Sequence, residues 1–307
     1  MENQILCMGS INIDLVMYMD KMPEPGETIV TDNYQTFPGG KGGNQASAAS
    51  LLGGKVKYFT RLGSDNFSQE LTAKQEKNGV SMKNVIYMNN ATAGVAMIRV
   101  DKKGQNSISF TPGANQLLTP KDVEQNAHIF DNCKFLLITM EIKPETVYKA
   151  IEIASKKGLT VILDPSPVPE NGIPGEIAEL VDYTKPNEME TEALTDIHIT
   201  GRKSASDALK ILKSKGFKNP IITLSDAGAL TYLNGNEYFI EPIKVQSIDS
   251  TAAGDIFLGA FSAALSNGRP YKYCLNFAKT AAAISTTKKG AQSSIPTIEE
   301  INAYMKK

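Results

Sequence analysis

The segment DSTAAGDIFLGAF, residues 249–261, joins a strand-like run at 238–248 to an apolar helical pattern at 255–265. Three small residues stand where the strand would pass into the helix, and Asp255 follows them. The first N–H groups of a helix lack partners and the positive end of its dipole lies there. Because small residues let an anion approach that backbone, the segment predicts a strand–turn–helix unit with an anion-binding helix N-terminus.

A carboxylate at such a site suggests chemistry. The backbone at Ala252, Ala253 and Gly254 would form an anion hole for the charge on a transferring phosphoryl group. Asp255, in the first helical turn, would orient and deprotonate the hydroxyl that attacks phosphorus. The alternative is that Asp255 only stabilises the helix end, and this segment alone leaves both interpretations open.

The rest of the chain alternates between short apolar runs and helical patterns. Buried strands are predicted at 5–8, 56–59, 135–138, 160–163 and 221–224. Helices are predicted at 44–52, 68–78, 144–157, 204–215, 255–265, 271–286 and 298–305. Strand–helix–strand alternation predicts an α/β fold with a mostly parallel central sheet.

Two inserts, at about 15–37 and 94–111, depart from this alternation. The first has polar and apolar residues alternating around prolines, and the second predicts a β-hairpin with the turn DKKG. We expect them to form one small sheet, a lid over the main domain. Since no linker divides the chain, residues 1–307 are predicted to be a single catalytic domain.

Composition excludes several classes of protein. The 307 residues carry a net charge of -1 without a basic cluster, so a nucleic-acid partner is not expected. No apolar run reaches membrane-spanning length, and the N-terminus does not resemble a secretory signal. Three scattered cysteines, without a metal-binding spacing, favour a cytoplasmic protein with free thiols.

A second glycine-rich stretch, PGGKGGNQASAAS at 38–50, also leads into a helical pattern. It matches neither the Walker A loop nor GxGxxG, but its bare backbone permits close ligand approach. Lys41 and Asn44 would offer donors to a polyhydroxyl substrate. The alternative is a glycine-rich turn before a tightly packed helix.

Two polar pairs complete the candidate site. Asn12 and Asp14 follow the first strand and would point the same way, towards one sugar, unless they form an ordinary Asx turn. Asn187 and Glu190, three apart at a helix start, suit Mg²⁺ held through waters beside a nucleotide phosphate. The alternative for the second pair, which these residues alone favour, is a helix-capping arrangement.

Taken together, these motifs resemble the ribokinase-like sugar kinases, the PfkB-type carbohydrate kinase family. The resemblance covers nearly the whole chain and keeps the order of elements. It rests on GSINID, PEPGET, GGKGGNQA, GAN at 113–115, DPSPV, KPNEMETE, DSTAAGD and KKGAQSSIP. It implies a three-layer α/β fold with a small β lid, which in this family often pairs two subunits into a homodimer.

The resemblance implies transfer of the ATP γ-phosphoryl group to a sugar hydroxyl, with the 5-hydroxyl of D-ribose as the expected acceptor. Deoxyribose, fructose, a keto-deoxy sugar acid or a nucleoside remain alternatives, as does a sugar-binding regulator that has lost catalysis. Asp255 matches the family's base and residues 252–254 its anion hole. The implied sugar contacts are Asn12, Asp14, Gly40, Lys41, Asn44, Glu141 and Asp255.

The resemblance also implies sites for ATP, Mg²⁺ and a monovalent cation such as K⁺. The implied ATP contacts are Asn187, Thr223, Ser225, Gly228, Gly254 and Lys279, with Mg²⁺ near Asn187 and Glu190. The implied cation positions are Asp249, Thr251, Ser285, Lys288, Gly290 and Ser294. Ser225 and Lys279 depart from the family, which has Gly at the first position and in some members His at the second. If the family Gly has positive φ, Ser225 must strain or shift its loop.

Overall fold

A computed structural model describes residues 3–306 of the chain, and six parallel strands form its central sheet. The strands follow the order β12-β11-β10-β9-β1-β4. Their bounds are β1 Gln4–Met8, β4 Lys55–Phe59, β9 Cys133–Thr139, β10 Thr160–Asp164, β11 Tyr183–Thr184 and β12 Asn219–Pro220. The sheet confirms the predicted α/β class.

Smaller sheets carry the remaining strands. A four-stranded sheet, called the small sheet below, has the order β3-β2-β7-β8, with β2 Asn12–Tyr18, β3 Tyr34–Gly39, β7 Gly94–Val100 and β8 Asn106–Thr111. A three-stranded antiparallel sheet holds β13 Ile222–Thr223, β14 Ala229–Leu233 and β15 Asn236–Ile240. The pair β5 Arg61–Gly63 and β6 Ile86–Met88 is parallel.

Ten α-helices lie within the described range. They are α1 Lys41–Leu51, α2 Asn66–Lys77, α3 Pro120–Gln125, α4 Pro144–Lys156, α5 Gly175–Ala178, α6 Glu188–Thr195, α7 Arg202–Ser214, α8 Ala253–Ser266, α9 Tyr271–Ser285 and α10 Ile298–Met305. Among residues 3–306, no helix combines the length and the apolar character needed to cross a bilayer.

The central sheet is buried on both faces, which explains its uniformly apolar strands. In β1, Ile5 and Cys7 belong to one core cluster, while Leu6 and Met8 belong to the other. Helices α1, α8 and α9 contribute to the first cluster, and α4 and α7 to the second. The helix–sheet–helix layering agrees with the three layers implied by the family resemblance.

The bounds of several predicted elements differ from the structure, and α1 for example begins at Lys41 rather than at residue 44. The strand predicted at 221–224 is two short strands, because the chain leaves the central sheet after Pro220 and joins the antiparallel sheet at Ile222. The strand-like run 238–248 ends at Ile240, and 241–248 has no regular structure. The helix predicted from 255 begins at Ala253, since apolar periodicity cannot locate a first turn made of small residues.

The small sheet is made from the two segments that interrupt the strand–helix alternation. Its strands begin nearer the core than predicted, because β2 starts at Asn12 and β3 continues to Gly39. The chain therefore passes from β1 into the small sheet after three residues, and from β3 into α1 after one. These short connections hold the small sheet against the ends of the central strands.

Candidate active site

Four polar residues, of which Glu141 is a predicted site residue, lie at the carboxyl ends of the central strands. Ser10 follows β1, Glu141 follows β9, Asp164 ends β10 and Lys185 follows β11. Because these strands are parallel, their carboxyl ends meet at one edge of the sheet, where open α/β sheets bind ligands.

Helix α8 points its N-terminus into this region. Ala252 is its N-cap, in the left-handed conformation with φ 60°, and Gly254 is exposed at the opening. The Ala253 amide donates to the Ser250 carbonyl at 3.2 Å, whereas no residue within 3–306 accepts from the Gly254 amide. Of the predicted anion hole, the Ala253 amide is therefore engaged, whereas the Ala252 and Gly254 amides have no acceptor among the described residues.

Asp255 is buried behind this opening, with 5% of its surface exposed. Its carboxylate accepts hydrogen bonds from the side-chain amides of Asn44 at 3.0 Å and Gln45 at 3.1 Å. The Gln45 amide also donates to Asp164 at 2.7 Å, so one nitrogen bridges two buried carboxylates. The side chain is thus held by α1, in contact with the helix opening rather than at the protein surface.

Burial raises the pKa of Asp255 to about 6. The Lys41 ammonium opposes this rise, the Asp164 carboxylate adds to it, and the amides of Asn44 and Gln45 oppose it. A carboxylate with a pKa near 6 is ionised at neutral pH and is more basic than an exposed aspartate. These are the properties that general-base catalysis requires.

The residues predicted to bind sugar lie beside Asp255. Asn12 and Asp14 lie on the same face of β2, because residues two apart in a strand point the same way. Gly40, with φ 83°, is the N-cap of α1, and a Cβ there would lie 2.9 Å from the backbone of residues 10–12. The glycine therefore permits the close approach of α1 to the start of the small sheet.

Lys41 and Glu141 connect the two sides of this pocket. Glu141 accepts hydrogen bonds from the Lys41 amide at 2.9 Å and from the Ser10 hydroxyl. Burial alone would lower the pKa of the Lys41 ammonium, but the neighbouring carboxylates Asp164, Asp255, Glu141 and Glu190 raise it above its usual range. Lys41 is therefore a firmly charged donor among carboxylates.

Asn44 has contacts that the sequence did not predict. Its Nδ2 donates to Asp255, and its Oδ1 accepts from Gln292 at 3.3 Å. The structure thus places Asn44 between the proposed base and the C-terminal loop. One Nδ2 hydrogen remains for a substrate, so sugar binding by Asn44 stays a prediction.

Asn115 was not identified as a site residue, although GAN was noted as a motif. Its Oδ1 accepts from the Ile11 amide at 3.0 Å, and its Nδ2 donates to Asn12 Oδ1 at 2.7 Å. A Cβ on Gly94 would lie 2.1 Å from the same Asn12 oxygen, so glycine leaves room for this contact. With Oδ1 of Asn12 engaged, its Nδ2 is the group free to donate to a sugar.

Asn187 and Glu190 form the capping arrangement that was the alternative interpretation. The Asn187 side chain accepts from the Glu190 amide at 2.8 Å, and Glu190 accepts from the Asn187 amide at 2.9 Å. A second bond, from Asn187 Nδ2 to Glu190 at 3.1 Å, occupies the other carboxylate oxygen. Each oxygen keeps one lone pair, so capping does not prevent the pair from accepting hydrogen bonds from waters around Mg²⁺.

Three of the predicted nucleotide contacts, Thr223, Ser225 and Gly228, lie in β13 and in the turn that follows it. The Thr223 amide donates to Pro186 at 3.0 Å, which joins β13 to the segment before Asn187. Ser225 has φ 47°, so this serine adopts the positive φ that favours glycine. Gly228 has φ 104°, and a Cβ there would lie 2.4 Å from Ile240 O.

A cavity of about 330 Å³ lies beside α9. It is lined by Ile243, Asn276, Lys279, Thr280, Tyr304 and Met305. The Lys279 ammonium donates to Glu241 O at 3.0 Å, and burial lowers its pKa.

The positions predicted for a monovalent cation lie in two adjoining loops. Asp249 accepts from the Thr251 amide at 2.9 Å and from the Gly290 amide at 2.8 Å, which ties the loops together. The Ser285 and Ser294 hydroxyls instead donate to carbonyls within their own segments. The Lys288 ammonium pairs with Glu300 at 2.9 Å.

Gln45, Asp164 and Lys185 are further residues of this region that the sequence reasoning did not select. Each lies inside a motif quoted above, GGKGGNQA, DPSPV or KPNEMETE. Their polar character within buried segments was an available signal, because a buried polar group needs a partner. The identity of that partner depended on the tertiary structure.

Comparisons with known proteins agree with this geometry. The family model for pfkB family carbohydrate kinases matches residues 2–298. Ribokinase from Haemophilus influenzae is 36% identical over 305 residues, or 99% of each chain. Deoxyribokinase from Salmonella typhi is 34% identical over 301 residues, or 98% of each chain. Arabidopsis thaliana ribokinase, solved with ribose and ATP, matches at 29% identity and TM-score 0.94 over 100% of both chains.

The chain therefore belongs to the pfkB family of carbohydrate kinases. This confirms the family resemblance and the predicted class of enzyme, a phosphotransferase that acts on an alcohol group.

Proposed function

We propose that this enzyme transfers the γ-phosphoryl group of ATP to the 5-hydroxyl of D-ribose. The observation that carries the proposal is the buried Asp255 carboxylate beside the open N-terminus of α8. The full-length similarity to ribokinases, one of them solved with ribose and ATP, supports ribose as the acceptor.

In the proposed mechanism, sugar binds between the small sheet and α1. Asn12 and Lys41 would donate to its hydroxyls, and Asp14 and Glu141 would accept from them. Gly40 would let the sugar approach the backbone, and Asn44 would hold both Asp255 and the substrate. Orienting the 5-hydroxyl against Asp255 converts the transfer into an effectively unimolecular step.

Asp255 then takes the hydroxyl proton as the new O–P bond forms and the bond to the ADP oxygen breaks. The Gly254 amide and the N-terminal dipole of α8 stabilise the charge on the phosphoryl group. ATP would lie along Asn187, Thr223, Ser225 and Gly228, with its base near Lys279. Closure of the small sheet as a lid would exclude water, which competes with sugar as the acceptor.

Two ions belong to the proposal. Asn187 and Glu190 would hold Mg²⁺ through waters, and Mg²⁺ would neutralise charge on the ATP phosphates. The loops around Asp249 would surround K⁺, mostly with backbone carbonyls. The other residues of these loops at the proposed site are Thr251, Ser285, Lys288, Gly290 and Ser294. Such a cation would stabilise the turn that leads into α8.

Deoxyribose is the second candidate acceptor, and a specific observation favours keeping it. The Salmonella typhi deoxyribokinase is nearly as similar to this chain as the Haemophilus influenzae ribokinase, at 34% against 36% identity. Overall sequence identity therefore does not decide whether ribose or deoxyribose is the acceptor. The few side chains around the sugar must determine that specificity.

We also propose a homodimer formed through the small sheet. Its strands expose large apolar side chains, including Tyr18, Tyr34, Met97, Ile108 and Phe110. Burying such side chains against a second copy is favourable, and exposed apolar patches mark interaction sites. Cytoplasmic location stays a prediction that rests on the three buried, unpaired cysteines.

A coupled assay of ADP release tests the function, with Mg²⁺ and K⁺ present and the acceptors ribose, deoxyribose, fructose, keto-deoxy-gluconate and nucleosides compared. We expect ribose to give the highest kcat/KM. A preference for another sugar would keep the mechanism and overturn the acceptor. The absence of turnover with every acceptor would favour a sugar-binding regulator instead.

Asp255→Asn tests the mechanism, because the amide cannot accept the proton. We expect kcat to fall at least ~10²-fold while calorimetry shows sugar binding largely retained. Asp207→Asn, at an exposed position on α7, is the matched control and should keep full activity. Near-normal turnover by Asp255→Asn would refute its role as base.

A further inference from the structure

Lys185 presents a buried positive charge without a partner. Its residue is only 4% exposed, in the segment directly after β11. Among residues 3–306, no hydrogen bond or ion pair reaches its ammonium group. The ammonium nitrogen keeps some accessible surface. A charge largely removed from water is unfavourable unless it is paired, so this ammonium is placed to pair with a group that the polypeptide does not supply.

The ammonium lies over the N-terminus of α8. A Cβ built on Gly254 would be 3.0 Å from Lys185 Nζ, and apart from the adjoining residues and backbone of α8 itself, only this lysine side chain comes within 4 Å of that Cβ among the described residues. The Gly254 amide is one of the open donors at the start of this helix, which is 14 residues long. Two positive groups therefore face the same space, and an anion between them would satisfy both.

The main chain around Lys185 is held on both sides. Its amide donates to Leu163 O at 3.4 Å, and Thr184 O accepts from Ile221 at 2.8 Å. On the other side, Pro186 O accepts from Thr223 at 3.0 Å. The lysine therefore starts from a fixed position between two strands, so it can reach the helix opening at little entropic cost.

Lys41, the other lysine of the site, is partly buried and lies in a different environment. Four carboxylates act on it, those of Asp164, Asp255, Glu141 and Glu190. Its charge is balanced within the protein, whereas the charge of Lys185 has no such partner. The lysine that requires an external anion is therefore Lys185.

We infer that Lys185 donates a hydrogen bond to a non-bridging oxygen of the γ-phosphoryl group and acts with the Gly254 amide as it transfers. This inference rests on the proposed kinase function and adds a catalytic residue to it. Lys185 keeps its proton throughout, because Asp255 accepts the proton from the sugar hydroxyl. The charge stabilised is that of the phosphoryl oxygens as the bond to ADP breaks.

Lys185→Met tests the inference, because it retains the apolar stem and removes the charge. We expect kcat to fall about 10²-fold, with the KM for sugar changed less than about twofold. Lys185→Arg keeps the charge and should recover part of the loss. Lys203→Met, at an exposed position on α7, is the matched control and should behave as the unaltered enzyme.

A binding measurement distinguishes contact of Lys185 with the γ-phosphate from contact with the rest of the nucleotide. By calorimetry, Lys185→Met should bind the non-hydrolysable analogue AMP-PNP about tenfold more weakly and ADP with unchanged affinity, since ADP lacks the γ-phosphate. Unchanged kcat, or an equal loss for both nucleotides, would overturn the inference. If the unaltered enzyme phosphorylates no sugar, the proposed function fails, but this comparison still tests Lys185.

Circular dichroism on each variant checks its folding, and Lys185→Arg provides the test if Lys185→Met does not fold.

Discussion

At the scale of single residues, two carboxylates should control the acid side of the activity profile. Burial raises the pKa of both Asp255 and Asp14 to about 6, and for Asp14 the charge of Glu141 adds to the effect. Both must be ionised, Asp255 to accept a proton and Asp14 to accept sugar hydroxyls. As pH falls through about 6, log kcat/KM should therefore decline with a slope that approaches about 2.

The contribution of Asp14 can be separated with Asp14→Asn, measured between about pH 5 and 8. This variant should bind sugar more weakly, and the acid slope of its kcat/KM should fall to about 1, because only Asp255 still titrates. A profile that stays flat down to about pH 5 in the unaltered enzyme would contradict both assignments.

Ser225 shows what a departure from the family costs locally. Its φ of 47° is strained for a serine, by roughly 1–2 kcal/mol. Ser225→Gly should relieve that strain but lose about 0.5–1 kcal/mol to the entropy of the unfolded chain, for a net gain of roughly 0–1.5 kcal/mol.

The midpoint of urea unfolding measures this gain. Ser206→Gly, inside helix α7, is the control and should lower the urea midpoint, because glycine weakens a helix by up to about 1 kcal/mol. If Ser225→Gly lowers the midpoint as Ser206→Gly does, the serine is not strained.

At the scale of elements, the packing of α8 against α1 positions the site. Both helices are rich in small residues, and a Cβ on Gly259 would lie 2.5 Å from Ala48 Cβ and 2.8 Å from Ala49 N. The tightly packed helix, the alternative considered for the second glycine-rich stretch, is therefore present together with the candidate site. The same contact sets the distance between Asn44 on α1 and Asp255 on α8.

Gly259→Ala should force the two helices apart. We expect a loss of about 1–3 kcal/mol in unfolding free energy, together with reduced kcat as the contact between Asn44 and Asp255 lengthens. Gly175→Ala is the matched control, because no atom lies within 4 Å of its added Cβ, and it should be neutral. Equal stability of the two variants by thermal unfolding would count against close packing of α1 and α8.

At the scale of the whole molecule, the loop that enters α8 is joined to the loop near the C-terminus. Asp249 makes that connection to Gly290, and Gln292 continues it to Asn44. A cation between the loops would stabilise this connection, so replacing K⁺ by Na⁺ at equal ionic strength should slow turnover several-fold. Equal initial rates in the two salts would exclude a functional cation site.

Much of the fold followed from local pattern. Short apolar runs at 5–8 and 135–138 lie within central strands, because a strand buried on both faces needs apolar residues throughout. The run at 221–224 could not be assigned this way. Its residues are apolar in either sheet, and only pairing partners distant in sequence divide them between two sheets.

The sequence by itself determined the α/β class, the helix N-terminus beside Asp255 and the family, because these depend on local periodicity and on short contiguous motifs. Only the tertiary structure decided that Asn44 and Gln45 hold Asp255, that Asn187 and Glu190 cap their helix, and that Lys185 faces Gly254. The physical reason is that parallel strands bring residues far apart in the chain to one edge of the sheet. Burial at that edge then sets their charges and partners, and no local pattern records it.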